Sequence, residues 1–235
     1  MQNDLPAKKE LKTYFETLET VNLPAKIAVA RYIVDHFLQE GDSIILDAGT
    51  SLFPIAEEIA RRATERPESL HFTIMTHNYR AFQVLVEMVP LGARLNVVLA
   101  GGRYDRDLNA LFGPQTITAY DNFFPRVVLL GVSGLVAEVG VFCHGNTEEL
   151  PVKEVIVNKE TRDRIIVADY TKLGQLDAMR FGLTNNLLAG ARRCLLVTDQ
   201  PGQEATTYIR DRFFSQIEKL KKMYSIEVHF VAVVG

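Results

Sequence analysis

Cysteine is scarce: Cys143 and Cys194 are the only two, far apart, each among apolar neighbours. That excludes a disulfide framework and a cysteine-rich metal pattern, and suits reduced thiols in a cytoplasmic protein. Long apolar runs are also lacking. None approaches the roughly 18 residues of a membrane span, and the N-terminal "MQNDLPAKKELKTYF" has no apolar core of a signal peptide. A soluble, cytoplasmic chain is therefore expected, with no membrane partner. An excess of one charge is missing too, since 26 Lys and Arg face 29 Asp and Glu for a net −3. Neither nucleic acid nor an acidic membrane is an obvious partner for such a balance. The basic pairs Arg61-Arg62, Arg192-Arg193 and Lys221-Lys222 are scattered and read as solvated faces. Absent, finally, are the Walker Gly-Lys-Ser/Thr and a complete GxGxxG, so nucleoside triphosphates and NAD are unsupported and no cofactor or metal is expected.

What is present is enough apolar material, 47% of 235 residues, to bury a full core. It is arranged as short Val-, Ile- and Leu-rich runs: "SIILDA", "HFTIMT", "LNVVLA", "RVVLLG", "RIIVAD", "CLLVTD" and "EVHFVAVV". Runs without a polar alternate face read as strands covered on both sides. Helical periodicity separates several of them: "AKIAVARYIVDHFLQEG", expected to stop at an αL Gly41, then "SLFPIAEEIARRA", "NYRAFQVLVEMV", "EELPVKEVIVNKE" and the long 203–224 segment. The pattern predicts an α/β fold, a Rossmann-like, mostly parallel sheet with helices on both faces. Residues 1–23 read as a polar helical extension around "ELKTYFETLETV", and residues 24–235 as one domain.

Parallel α/β sheets bind ligands beyond the carboxyl ends of their strands, where loops converge and helix N-termini point. The strand-ending residues are therefore the candidates. "DAGTS" offers Asp47, a close-approach Gly49, and Thr50 and Ser51, which can cap a helix or hydrogen-bond an anion. "THN" offers Thr76, His77 and Asn78, the last with an N-cap as its plainer role, and one lone His is weak evidence for a metal or a base. Gly101 and Gly102 form a turn carrying Arg103, a guanidinium suited to a phosphate or to a surface pair. "GVSG" supplies Gly131, Ser133 and Gly134, and "ADYTKLG" supplies Asp169 and Lys172. Glu149 and Lys153, four apart, fit a helical ion pair as readily as a site.

In this order, "DAGTS", "THN", "GGR", "LFG", "GVSGL" with Gly140, Glu149, Val152-Lys153, "DYTKLG" and "VTD" resemble the sensor domain of the DeoR family of sugar-responsive repressors, over roughly residues 24–200. The resemblance implies a fold similar to ribose-5-phosphate isomerase A and a pocket for a phosphorylated sugar or related metabolite, with the Gly49–Ser51 loop holding the phosphate. The family's N-terminal helix-turn-helix has no counterpart in residues 1–23, so direct nucleic-acid binding by this chain alone is not expected. The related isomerases carry acids after the strand equivalent to "RVVLLG", where this chain has "GVSGL". Proton shuttling needs a positioned acid and base, so no catalytic residue is assigned and binding is preferred. Lys172 and Arg103 would balance charge, and Asp47, Asn78, Glu149, Lys153 and Asp169 would orient hydroxyls or one another. The alternative is a sugar-phosphate isomerase, with Glu149 as base and Lys172 as stabiliser. Apolar residues on the terminal helices suggest a homo-oligomer.

Overall fold

The computed structural model describes residues 12–67, 71–89 and 93–233. First come α1 (Tyr14–Glu19) and α2 (Leu23–His36), followed by β1 (Ser43–Leu46), α3 (Phe53–Glu65), β2 (His71–Thr76), α4 (Tyr79–Glu87) and β3 (Arg94–Leu99). A hairpin of β4 (Arg103–Asp105) and β5 (Ala110–Phe112) leads through α5 (Pro114–Asp121) to β6 (Val127–Gly131), β7 (Gly134–Val136), β8 (Gly140–Cys143) and α6 (Glu149–Val157). Then follow β9 (Thr161–Val167), a 3-10 turn over Tyr170–Lys172, β10 (Met179–Gly182), α7 (Thr184–Leu188), β11 (Ala191–Thr198), α8 (Thr207–Tyr224) and β12 (Glu227–Phe230).

The seven apolar runs are the seven strands of one sheet, ordered β12-β11-β9-β6-β1-β2-β3. Every pairing in it is parallel. Successive side chains alternate between two cores. Ile44 and Leu46 of β1 point with Leu129 of β6 and Ile165 of β9 toward α2, α3 and α4, packing on Ile33, Ile55, Ile59 and Leu85. Ile45, Val128, Leu130 and Ile166 face the other way, onto Tyr120 of α5, Val152 and Ile156 of α6, and Phe213, Ile217 and Leu220 of α8. Burial on both faces is what removes the polar alternate positions from these strands.

The chain runs outward in one direction through β1, β2 and β3, then returns to place β6, β9, β11 and β12 on the other side of β1. Strand order thus reverses between β1 and β6, and the loops leaving those two strands diverge to opposite faces. This is the crevice at which open α/β sheets take ligands. Two small sheets decorate that end, β10-β8-β7 and the β4–β5 hairpin. Their strands are three or four residues long, too short for a periodicity signal.

Helix α2 ends at His36, ahead of the expected stop at Gly41. The Asp42 carboxylate accepts a hydrogen bond from the Gln39 N–H at 2.9 Å, which builds a turn before β1. Gly41, at φ +84°, serves that turn and donates its N–H to the His71 carbonyl. The "ELKTYFETLETV" helix is real over Tyr14–Glu19, with Thr13 and Glu16 forming a reciprocal capping box; residues 1–11 lie outside the described residues.

Candidate functional site

The cavity at the β1/β6 switch point is floored by Gly49, Thr50 and Ser51 after β1 and by Gly131 and Ser133 after β6. Glu149 and Lys153 reach it from α6, Asp169 and Lys172 from the end of β9, and Cys143 and His144 from the end of β8. Tyr14, Phe15 and Leu18 of α1, with Val21, form its roof. Counted to its mouth, with the open solvent there included, it encloses about 800 Å³.

Gly49, at φ +129°, adopts backbone that a side chain disfavours. Its carbonyl takes the N–H of Leu52 and of Phe53, starting α3. The helix cap is Leu52, with no side-chain cap bond, so neither Thr50 nor Ser51 acts as the N-cap anticipated from the sequence. Thr50 Oγ1 instead accepts from Lys26 Nζ at 3.0 Å.

Behind the floor lies a buried polar cluster. Asp47 is fully buried, with its Oδ2 2.5 Å from Lys153 Nζ and accepting the Gly131 N–H at 2.9 Å. Lys153 also donates to the Gly131 carbonyl at 2.9 Å. A Cβ on Gly131 would meet Leu52 Cδ2 at 2.6 Å and the Ala48 carbonyl at 3.2 Å, so glycine lets this strand end close against the β1 loop without displacing Leu52. Burial disfavours the Lys153 charge, but Asp47 and Glu149 outweigh it and hold the ammonium above its ordinary pKa. Glu149, with its Oε1 3.8 Å from Lys153 Nζ, is pushed up to about 7 by burial, Lys153 pulling against. Its Oε2 and the Ser133 hydroxyl are buried without a hydrogen-bond partner. Buried polar atoms in native proteins are ordinarily satisfied; both of these groups line the cavity.

The other sequence candidates divide in two. Thr76, His77 and Asn78 are fully buried but stand behind the cavity wall. Asn78 caps α4 by accepting the Ala81 N–H at 3.1 Å, while its amide reaches the Gly49 carbonyl at 3.4 Å. Thr76 Oγ1 accepts the Asn78 N–H. His77 Nδ1 lies 2.7 Å from the Tyr120 hydroxyl, and burial drives its pKa down to about 4, leaving a neutral ring. These three brace the floor. Gly101, Gly102 and Arg103 sit outside the wall, and Arg103 pairs with Glu148 on the surface with 60% of its side chain exposed. The pairing links the start of the β4–β5 hairpin to the start of α6. Gly134 is also outside, in β7, packed on the Gln175 carbonyl. Among the described residues there is no cluster of three or more His, Cys, Asp or Glu able to hold a metal ion, and no helix is long and apolar enough to cross a membrane.

The α1 roof and Lys26 were not anticipated from the sequence. Lys26 is 5% exposed and donates to the Leu18 carbonyl at 2.7 Å as well as to Thr50. A signal for it exists in the sequence: a lysine in the first turn of a helix sits at the positive end of the dipole, where cations are disfavoured.

The fold is that of an α/β domain with a cavity at the switch point of a seven-stranded parallel sheet. Residues 21–200 match the DeoR C-terminal sensor domain, and the chain belongs to that family. It is 24% identical over 208 residues to the HTH-type transcriptional repressor GlcR of Bacillus subtilis (strain 168), covering 87% of this chain and 70% of the relative. It is 29% identical over 164 residues to the HTH-type transcriptional regulator GlpR of Haloferax volcanii, covering 69% of this chain and 58% of that protein. Among solved structures it is similar to ribose 5-phosphate isomerase A from Methanocaldococcus jannaschii, at 15% identity and a TM-score of 0.45, covering 66% of this chain and 57% of the other.

Proposed function

We propose that the chain is the effector-sensing part of a DeoR-type transcriptional regulator and that its effector is a phosphorylated sugar or a closely related metabolite. The observation that carries the reading is the pairing, in one cavity, of a Gly-Thr-Ser turn with buried hydrogen-bonding atoms that lack partners, Ser133 Oγ and Glu149 Oε2. In this reading Thr50 and Ser51 hold the phosphate and Lys172 supplies positive charge, while Ser133, Glu149 and Asp169 hydrogen-bond sugar hydroxyls. Selectivity follows because an analogue lacking one hydroxyl leaves a buried group unpaired. Arg103, exposed and engaged by Glu148, has no part in it.

A thermal-shift screen of sugar phosphates against the parent sugars tests this. A ligand present at a hundredfold excess over its Kd adds about 2.7 kcal/mol of stability, so a shift of several degrees with phosphorylated members alone is expected. Shifts from the unphosphorylated sugars only would remove the phosphate from the reading.

One observation favours a second reading, turnover. A Glu149 carboxyl near 7 is suited to a general base. Against it, the loop after β6 carries no carboxylate, and Asp47 is fully buried and committed to Lys153. Aldose–ketose conversion of pentose or hexose phosphates that disappears in Glu149→Gln would establish the enzyme instead of the sensor.

A further inference from the structure

We propose that Lys26 is a contact for the ligand's anionic group and the residue that ties cavity occupancy to α1. The inference rests on the reading of the cavity as a site for a phosphorylated ligand. Lys26 lies between floor and roof, bonded to Thr50 of the anion-facing turn and to the carbonyl of Leu18 in α1. Among the described residues it has no carboxylate within ion-pair distance. An ammonium has three donors, and two are used, both on neutral acceptors. A cation buried this deeply without an anion is costly, and its place in the first turn of α2 adds to the cost. A neutral donor would staple Leu18 to Thr50 equally well. What the lysine adds is charge, and an anion arriving at Thr50 is what compensates it.

The groups facing Lys26 are few. Glu19 from α1 and Asp169 from the end of β9 favour its charge, and Lys172 opposes it. Burial outweighs them and brings Lys26 down to about 8. A phosphate monoester, with its second pKa about 6, is already a dianion there. Binding to protonated Lys26 therefore takes up a proton above about pH 8. Drawing the ammonium toward the anion weakens its bond to the Leu18 carbonyl, which loosens the end of α1 or resets its pose.

The roof is also held at its other end, by contacts that do not involve Lys26. Tyr14 N–H donates to Asp107 Oδ1 at 2.7 Å and Phe15 N–H to the Asp107 carbonyl at 3.0 Å. The Tyr14 ring stacks on His144 at 4.0 Å. The start of α1 is thus anchored to the turn between β4 and β5 while its end answers to Lys26, an arrangement in which occupancy re-aims α1 about a fixed point.

The test is calorimetric titration of the whole chain with ribose 5-phosphate, glucose 6-phosphate, inorganic phosphate and free ribose between pH 6.5 and 9.5. Lys26→Gln and Lys26→Met are titrated beside the wild type, with hydrogen exchange read on the α1 amides. The wild type should lose affinity for phosphorylated probes by about tenfold per pH unit above 8, with proton uptake seen as buffer-dependent heat. Lys26→Gln, which keeps a donor to Leu18 and Thr50, should bind at least tenfold more weakly, lose the fall in affinity above pH 8 while keeping any change through pH 7 that Glu149 causes, and show no probe-induced change in α1 exchange. The wild-type pH profile stands even if a variant fails to fold. Undiminished, equally pH-dependent binding by Lys26→Gln overturns the role of Lys26 and leaves the phosphorylated-ligand reading intact. Binding of free ribose with none of the phosphorylated probes, or of no probe at all, overturns both.

Discussion

The two ends of the parallel sheet both bury charge, and they treat their carboxylates in opposite ways, while Arg164, buried near the amino end without a carboxylate, is held by the Lys159, Leu187 and Ala189 carbonyls. At the amino end, Asp42 receives two parallel hydrogen bonds from Arg162, each 2.9 Å, and a third from the Gln39 N–H. Asp163 is held by Arg162 and Arg193, both at 2.7 Å. Burial works against Asp163, yet those two guanidiniums keep it below the usual carboxylate range. At the carboxyl end one pair is tight, Asp47 with Lys153, and its surroundings are poorly compensated. Glu149 is pushed up to about 7, His77 down to about 4 and Lys26 down to about 8, each by burial first. Complete pairing marks charge that serves the fold. Incomplete pairing at a cavity marks charge held ready for something that is not part of the chain.

The largest effect should come from Lys153→Met, which strands Asp47 in the interior. Breaking a buried pair from one side costs about 3–5 kcal/mol, against about 1.5–3 kcal/mol for Arg162→Met. The smaller figure reflects Arg162 being 24% exposed, so that water can reach the site it vacates. Urea unfolding of the two variants measures the difference; an Arg162→Met loss exceeding that of Lys153→Met would reverse the ranking of the two ends.

Next come two substitutions of opposite sign. Glu149 has a folded pKa raised above its unfolded value, so its favourable contribution is complete below about pH 4.5 and is lost as pH rises through about 7. Glu149→Gln should therefore stabilise the protein at pH 8, by about 1–3 kcal/mol, and much less at pH 5. Asp163 is the reverse case. Its folded pKa is depressed, so its contribution is present above the unfolded value of about 3.9 and is lost as pH falls through the folded one. Asp163→Asn should destabilise by about 2 kcal/mol at pH 7, with the loss fading under acid. Stability of both variants across pH 3–8.5 gives the curves. Parallel curves would erase the contrast between functional and structural charge.

The seven central strands were legible because burial on both faces leaves an apolar run, and each run is a strand of the sheet. The small strands β4, β5, β7, β8 and β10 were not, because three or four residues carry no period and their pairing depends on tertiary closure. The floor of the cavity was readable from "DAGTS", "GVSG" and "DYTKLG", since strand ends converge in any parallel sheet. Its roof was not. Tyr14, Phe15 and Leu18 look like the apolar face of a short helix, and no local pattern says that this face turns onto a ligand cavity and not onto the core. The "THN" motif lies at the expected strand end but does different work there, since Asn78 caps a helix and steadies the Gly49 carbonyl. Glycine and hydroxyl content marks where loops converge. Which side of the wall each side chain takes is decided by packing.

The smallest effect belongs to the residue that sequence and structure treat most differently. Arg103, at the end of a glycine pair, has the chemistry of a phosphate clamp, and the fold spends it on Glu148 at the surface. Exposed pairs contribute little because water screens them and two long side chains must be held in register. Arg103→Ala should therefore leave the melting temperature within error and the affinity for phosphorylated probes unchanged. Lys172→Met, made in parallel on the cavity wall, should weaken those probes at least tenfold. The contrast separates a cation inside the cavity from one a few residues outside it. A tenfold loss of probe affinity in Arg103→Ala would mean that the β4–β5 hairpin swings inward when the cavity fills, carrying its guanidinium from Glu148 to the ligand.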